Sequence, residues 1–423
     1  MQVNISGLDK RLGQLFSSGE YESLLIEVRT LFQRLRGEKS LYGKALFEPI
    51  SDRWLHKLAT SGLSSLPKNL DSNTIVHLAS HVYVTGGHTR VFEDIVAALP
   101  DKKHILILTS IMFDEIFRTQ LPLLLHERFR RLGVNVIFLL KSGLIERADE
   151  LRRYLEEIKP GSIFINSHHE DVVIHSVVSG LSSNNVNFLH HADHLPCLGA
   201  TRSDYNHIDL TAECHRVCKT RFTPSPFMLN MAVPYSTQSV NISTGSSDIV
   251  AVTSGAYHKF QGSLRYTYPA VLEKLLAGTI STFYHIGDVP SPEQTFLREY
   301  LDTRGIHSAK LIFMGNVPSL IGALQEISPT FYLESFPVGG GKARVEVLGA
   351  GIPILRIQPD ETLPLFRWIE EVGPSTVVSD LEGLLPAVDE IVSRRCEFST
   401  ASRRFYDENH SFSRFENMLR NVI

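Results

Sequence analysis

Leu8, Leu12 and Leu15, followed by Leu24, Leu25, Val28, Leu31, Phe32 and Leu35, recur at helical spacing, so residues 1 to about 70 are predicted to be helical and free of strands. From Thr74 the pattern changes to short apolar runs that alternate with amphipathic stretches. Strands are predicted at 75–79, 104–108, 134–140, 162–166 and 186–189, and the rhythm restarts at 249–253, 281–286, 311–313, 330–333 and 352–355. Such alternation predicts βαβ units and parallel sheets covered on both faces. Two polar stretches interrupt it. Residues 64–73 carry a proline and read as a junction, and 235–248, rich in Ser, Thr, Asn and Gln, read as an interdomain linker. The last segment, 400–423, spaces Phe405, Phe412, Phe415, Met418 and Leu419 for burial along a helix. The pattern divides the chain into a helical extension (1–72), two Rossmann-like α/β domains (73–240 and 241–400) and a terminal helix (401–423).

At 423 residues the chain is long enough for two or three domains with ample core. A formal net charge of −4 advertises no polyanion-binding surface and argues against a nucleic-acid partner. No apolar run reaches the roughly 18 residues that span a bilayer, and the first residues lack a signal-peptide pattern. The four cysteines, Cys197, Cys214, Cys218 and Cys396, have no paired CxxC spacing and read as free thiols in a reducing compartment. A cytoplasmic location is therefore expected.

The most informative stretch is 334–355. A short apolar strand enters a turn with Gly339, Gly340 and Gly341 in a row, and a helix then begins near Lys342 with Arg344 and Glu346 in its first turns. Consecutive glycines permit φ > 0 and let a bulky anion approach the main chain. The helix start offers unpaired N–H groups and the positive dipole end to that anion. A carboxylate one turn inside such a helix does not favour phosphate, so Glu346 is assigned to sugar hydroxyls. The alternative is an ordinary strand–turn–helix.

The whole segment, acidic-x-Phe-Pro-x-Gly-Gly-Gly and then Glu-x-Leu-x-x-Gly-x-Pro, is similar to the donor-binding signature of GT-B glycosyltransferases. It most resembles the inverting branch that holds the O-linked N-acetylglucosamine transferases and the bacterial cytoplasmic N-glycosyltransferases. The closer glutamate pair usual in retaining GT-B enzymes is absent, since eleven residues separate Glu334 from Glu346. One departure stands out: where the family often has threonines after the glycines, this chain has Lys342 and Ala343. The resemblance implies an α/β GT-B fold, two Rossmann-like domains facing across a cleft, with the terminal helix crossing back onto the first.

Ligands of open parallel sheets gather at the carboxyl ends of strands, so the loops there hold the candidate residues. The first strand of the first Rossmann-like domain leads to Thr85-Gly86-Gly87-His88-Thr89-Arg90, where His88 is a candidate base or a local turn contact. The run His190-His191-Ala192-Asp193-His194 follows an apolar strand, and four ionisable residues in five are costly to bury without partners. His or Asp suits removal of an acceptor proton near neutral pH, so Asp193, then His191, with His88 and His194, are the candidate bases. Zinc binding competes for such a cluster, but no further ligand set has convincing spacing and no metal is assigned. Asn166-Ser167-His168-His169 ends the preceding strand and is a neighbour of the same region.

In the second Rossmann-like domain, Thr253-Ser254-Gly255-Ala256-Tyr257-His258-Lys259 resembles the family's loop in which a basic residue reaches the donor diphosphate. Lys259 is the leading candidate, beside His258, with Lys342 and Arg344 in reserve; a cation there stabilises the departing phosphate. Gly315, with Val317, resembles the loop that holds the nucleobase through main-chain groups. The implied activity is transfer of a sugar from a nucleotide-diphosphate sugar, UDP-sugar favoured and no other cofactor, with inversion and without a metal. The acceptor would be a saccharide, a lipid-linked glycan or a protein, at the inner face of a membrane or in the cytoplasm. A non-catalytic partner of a transferase complex and a nucleotide-sugar epimerase of the same fold are the alternatives.

Overall fold

The computed structural model describes residues 5–38, 41, 47–61, 70–84, 87–111, 120–178, 186–191, 195–221, 225–233, 248–261, 266–337, 339–358 and 373–423. The chain divides into two compact units, Met1–Leu229 with Glu416–Ile423, and Asn230–Phe415.

Unit 1 opens with helices α1 (Ile5–Ser17), α2 (Tyr21–Gly37) and α3 (Pro49–Thr60). Then come β1 (Asp71–Ala79), α4 (Gly87–Ala98), β2 (Lys103–Leu108), α5 (Leu123–Arg131), β3 (Asn135–Phe138), α6 (Leu144–Ile158), β4 (Pro160–Asn166) and α7 (Val172–Val178). The unit's sheet is completed by β5 (Val186–His190), β6 (Asn206–Asp209) and β7 (Phe227–Met228), with α8 (Ala212–Lys219) between the last two. The sheet has the order β3-β2-β1-β4-β5-β6-β7, and every pairing is parallel. Crossover helices shield its faces, so the central strands are apolar runs rather than alternations: Thr74 to Ala79 of β1 are all buried.

The three leading helices share this core. Leu12, Leu24, Val28, Phe32 and Leu55 pack in one cluster with Val76, Leu78, Ile105 and Ile163. Polar ties fix them as well. Buried Asp52 on α3 accepts from the Gly199 N–H (2.7 Å), the Thr201 N–H (3.0 Å) and the Thr201 hydroxyl (2.6 Å). Glu22 on α2 accepts from the first two amides of α6, Leu144 and Ile145 (2.9 and 2.8 Å), where a carboxylate also complements the helix dipole.

Unit 2 holds β8 (Ile249–Ser254), α9 (Tyr268–Ala277), β9 (Ile280–Ile286), α10 (Ser291–Asp302), β10 (Leu311–Gly315), α11 (Leu320–Ile327), β11 (Phe331–Leu333), α12 (Gly341–Gly349) and β12 (Ile354–Ile357). After β13 (Thr376–Val378), α13 (Leu384–Ser393), α14 (Arg395–Asn409) and α15 (Phe412–Arg420) complete the chain. Its sheet runs β10-β9-β8-β11-β12-β13, again all parallel. Its core gathers Phe260, Tyr268, Leu272, Phe283, Phe331 and Leu355.

Several sequence expectations are corrected. The junction read at 64–73 ends earlier, because β1 starts at Asp71; its first part lies outside the described residues, as does the linker read at 235–248 up to residue 247. Strands β6, β7 and β13 were not anticipated. β6 reads Asn-His-Ile-Asp, and a strand with one apolar residue in four gives no apolar run. The terminal segment is two helices, broken at His410 and Ser411, rather than one.

Candidate functional site

In unit 2, β8, β9 and β10 end side by side, and each is closed by a glycine with positive φ: Gly255 (+148°), Gly287 (+132°) and Gly315 (+64°). The Gly255 N–H donates to the Ile286 carbonyl (2.9 Å) and the Gly287 N–H to the Gly315 carbonyl (2.8 Å). A Cβ on Gly287 would lie 2.3 Å from the Gly255 oxygen. The backbones touch, so side chains are excluded and the strand ends form a low shelf. His285 supports it from β9: Nε2 lies 2.9 Å from the Gly255 carbonyl and Nδ1 2.7 Å from the Tyr268 hydroxyl. The carbonyl can only accept, so Nε2 carries the proton and the tyrosine donates to Nδ1. Burial pushes His285 down to about 4.

β8 leads into a 3-10 turn, Tyr257–Phe260, with His258 exposed and Lys259 half-buried. The Lys259 side chain runs past Gly255 toward the glycine run: a Cβ on Gly340 would lie 3.8 Å from Lys259 Nζ. The fold thus unites Lys259 with the turn before α12, residues about eighty positions apart in sequence. α12 starts at Gly341, one residue before the expected Lys342, with Gly340 as its N-cap at φ −104°. The expected positive φ is not found at Gly339, Gly340 or Gly341. Space explains at least one of them, because a Cβ on Gly339 would lie 2.8 Å from Glu334 Oε1.

Glu334 is buried at the end of β11. Burial alone would raise it, but Arg356, then Arg344 and Lys259, hold it below the usual carboxylate range. Arg356 on β12 forms an ion pair with it, and Arg344 Nε lies 3.7 Å away. Three cations and one carboxylate leave an excess of positive charge beside the glycine turn. Lys342, held in reserve behind Lys259 for the phosphate, donates from Nζ to the Ala232 carbonyl. Glu346 is half-exposed in the second turn of α12, and Val317 is half-buried just after β10. Sequence reading missed Arg356, which sits in an ordinary apolar strand, and Gly287, whose signal was a glycine directly after a strand.

In unit 1, the ends of β1, β4 and β5 bring histidines together. His88, in the first turn of α4, packs against His191 (ring centroids 4.4 Å) and lies 5.9 Å from His168. His168 stacks on His81 (4.6 Å), and its Nε2 meets the Tyr83 hydroxyl at 3.0 Å. Asp171, ahead of α7, anchors the arrangement by accepting from the Ser80 and Thr109 hydroxyls (2.6 Å each). Ser80 in turn accepts from the His168 N–H (2.8 Å). Burial, followed by the neighbouring His191 and His168, holds His88 well below the ordinary imidazole value. Burial likewise pushes His81 and His168 down to about 3. All three are neutral at pH 7. Both ring nitrogens of His88, His168 Nδ1 and Asn166 Oδ1 are buried without a hydrogen-bond partner among the described residues, the state of groups that await a ligand or water. Arg36 of α2 reaches this cluster, with Nη1 3.9 Å from Glu170 Oε1. Asp193 and His194 lie outside the described residues. His81, Tyr83 and Arg36 were not singled out from sequence, since their meeting depends on tertiary structure.

His190 does not join this cluster. Its ring is fully buried among Asp209, Cys214 and Cys218. Cys214 and Cys218 are free thiols, as the sequence suggested, and they stand beside His190 and Asp209.

The sequence matches no protein-family model and no curated protein. Solved structures do match in fold. A glycosyltransferase from Rickettsia africae superposes with a TM-score of 0.61 at 12% identity, covering 83% of this chain and 99% of the other. Anabaena HepE in complex with UDP-glucose gives 0.58 at 11%, over 82% and 98%. A mutant O-GlcNAc transferase of Thermobaculum terrenum gives 0.50 at 12% and covers 99% of this chain and 84% of its own. With two all-parallel α/β sheets and these structural neighbours, the chain has the GT-B glycosyltransferase fold.

Proposed function

We propose that the chain transfers a sugar from a nucleotide-diphosphate sugar, UDP-linked by preference, to a hydroxyl or amide of a glycan, lipid-linked glycan or protein. The observation that carries this reading is the meeting of Lys259 with the glycine turn before α12. A helix start, a lysine and two nearby guanidinium groups offer the positive field that a leaving diphosphate needs. Glycines at the ends of β8, β9 and β10 leave room for the nucleoside against main-chain groups. Glu346 holds hydroxyls of the donor, most directly the ribose.

Transfer proceeds with inversion and without a metal. The acceptor oxygen or nitrogen bonds to the anomeric carbon as the bond from that carbon to the diphosphate oxygen breaks, and the electron pair leaves with the diphosphate. The acceptor proton passes to a base. His88, His191 and Asp193 are the candidates; neither nitrogen of neutral His88 is hydrogen-bonded among the described residues, but the burial that keeps it neutral also weakens it as a base. The reaction belongs to polysaccharide biosynthesis in the cytoplasm or at the inner face of a membrane. No helix among the described residues is long and apolar enough to cross a membrane.

Incubation with a panel of UDP-, GDP-, ADP- and dTDP-sugars, with nucleotide release as readout and calorimetry for binding, tests the reading. One nucleotide class should bind and be released, faster once an acceptor is supplied. Absence of binding to every nucleotide sugar would refute it. Release of an isomerised nucleotide sugar without transfer would point to an epimerase.

A further inference from the structure

We propose that unit 1 contains a structural zinc site formed by His190, Asp209, Cys214 and Cys218. His190 and Asp209 are the last residues of β5 and β6 and stand directly opposite each other in the parallel ladder. Cys214 and Cys218 are four apart on α8, so both sulfurs lie on one helix face turned toward the strand ends. One ligand atom from each of the four residues falls within 4.8 Å of every other, and all four residues are buried.

The spacings fit one cation. Cys214 Sγ and Cys218 Sγ are 3.9 Å apart, and His190 Nδ1 lies 3.1 and 3.3 Å from them. His190 Nδ1 lies 3.3 Å from Asp209 Oδ1. Tetrahedral zinc with its usual bond lengths sets these edges at about 3.8 Å for S–S, about 3.5 Å for N–S and about 3.4 Å for N–O. These four edges match to within a few tenths of an ångström, and the two from Asp209 to the sulfurs are within 4.8 Å.

Hydrogen bonding alone does not account for the cluster. His190 Nδ1 holds one proton or one lone pair, yet two sulfurs, a carboxylate oxygen and His207 Nε2 (3.1 Å) converge on it. A buried carboxylate and two thiols gathered on one imidazole nitrogen are costly to desolvate, even with His207 and His215 beside the carboxylate. A divalent cation answers that need, and thiolate–imidazole–carboxylate ligation in a tetrahedron selects zinc. The outer contacts are those a bound carboxylate requires: His207 Nε2 lies 3.1 Å from Asp209 Oδ1, and His215 Nδ1 lies 3.1 Å from Asp209 Oδ2. All four ligands come from the protein and none is exposed, so the site is closed. Its task is to clamp α8 to the strand ends and to fix β5, and with it the start of the loop that carries His191. Binding releases the two thiol protons and reduces or oxidises nothing.

Elemental analysis of untagged protein, purified without chelator, tests the assignment. About one zinc per chain is expected, as for a closed four-ligand site. Protein stripped of metal and reloaded with Co2+ should show thiolate-to-cobalt charge-transfer absorption and the intense visible bands of a tetrahedral complex. Cys214→Ser should lose the zinc, and Cys214→His, which keeps a ligand, should retain metal with a weakened charge-transfer band. Cys396→Ser, at an exposed cysteine outside the site, should behave as wild type. The proposal is overturned by wild-type protein that holds no zinc and gives no Co2+ charge-transfer band. A different metal at full occupancy, or a disulfide between Cys214 and Cys218 in protein kept under reducing conditions, would overturn it equally. The cobalt spectrum of the wild-type chain decides the matter even if every cysteine variant fails to fold.

Discussion

Single side chains carry the charge balance in unit 2. Lys259 is half-buried, and its ammonium faces a turn with no side chains of its own. Lys259→Ala should therefore leave the fold intact and weaken nucleotide-sugar binding by about 1.5–3 kcal/mol, the scale of a hydrogen bond to a charged group. Calorimetry decides: an unchanged donor affinity removes Lys259 from the site. Glu346→Ala should cost about 1–3 kcal/mol of donor binding by the same measurement. In unit 1 the signature is different. His88→Ala, His191→Ala and Asp193→Asn separate the candidate bases, and the true one should lose about 10²–10⁴-fold in turnover with donor affinity nearly intact. Loss of donor affinity in all three would make these loops supports and place the base elsewhere. The glycine turn and Lys259 could be read from sequence because each lies in a contiguous run next to a strand. Arg356 and the contact of His81 with His168 could not, because they join strands far apart in the chain.

At the scale of elements, what was legible follows apolar content. β1, β2, β4 and β9 are largely buried and announce themselves, whereas β6 is mostly polar because its neighbours satisfy it: the Asn206 amide donates to Asn187 Oδ1 (3.2 Å), and Asn187 donates to Ser162 (2.8 Å). That polar seam is also why the cysteines of α8 looked isolated in sequence: Asp209 ends a strand with no apolar signal, and His190 was read with the loop that follows it. Packing of strand ends makes its own prediction. Gly287→Ala places a methyl 2.3 Å from the Gly255 oxygen at a φ of +132°, so both sterics and backbone conformation oppose it. A loss of about 2–4 kcal/mol is expected, the range of severe strain and overpacking. Gly305→Ala is the control, with φ +73° and open space around it, and should cost about 1–2 kcal/mol from backbone conformation alone. Chemical denaturation compares the two. Equal losses would mean that the close approach of the strand ends is not held in solution.

The whole molecule is rich in histidines buried as neutral rings, and this sets its response to acid. His81, His168 and His175 are pushed down to about 3, and His285 and His410 to about 4, in each case chiefly by burial. In the unfolded chain each titrates near 6.5. Above that value both states are neutral and nothing depends on pH. Below it the unfolded state binds protons that the native state refuses, so stability falls as pH drops from about 6.5 toward the folded values. Each ring contributes at most about 1.4 kcal/mol per pH unit across that window. His285 isolates the effect in unit 2, since Nδ1 accepts from Tyr268 and Nε2 donates to Gly255, leaving no place for a second proton. His285→Gln should be less stable than wild type at pH 7.5, where the shelf loses a hydrogen bond. Between pH 7.5 and pH 5 it should lose about 2 kcal/mol less than wild type does, the share of one such ring over that interval. Denaturant midpoints at the two pH values give the comparison, and parallel slopes for the two proteins would mean that His285 accepts its proton in the folded state.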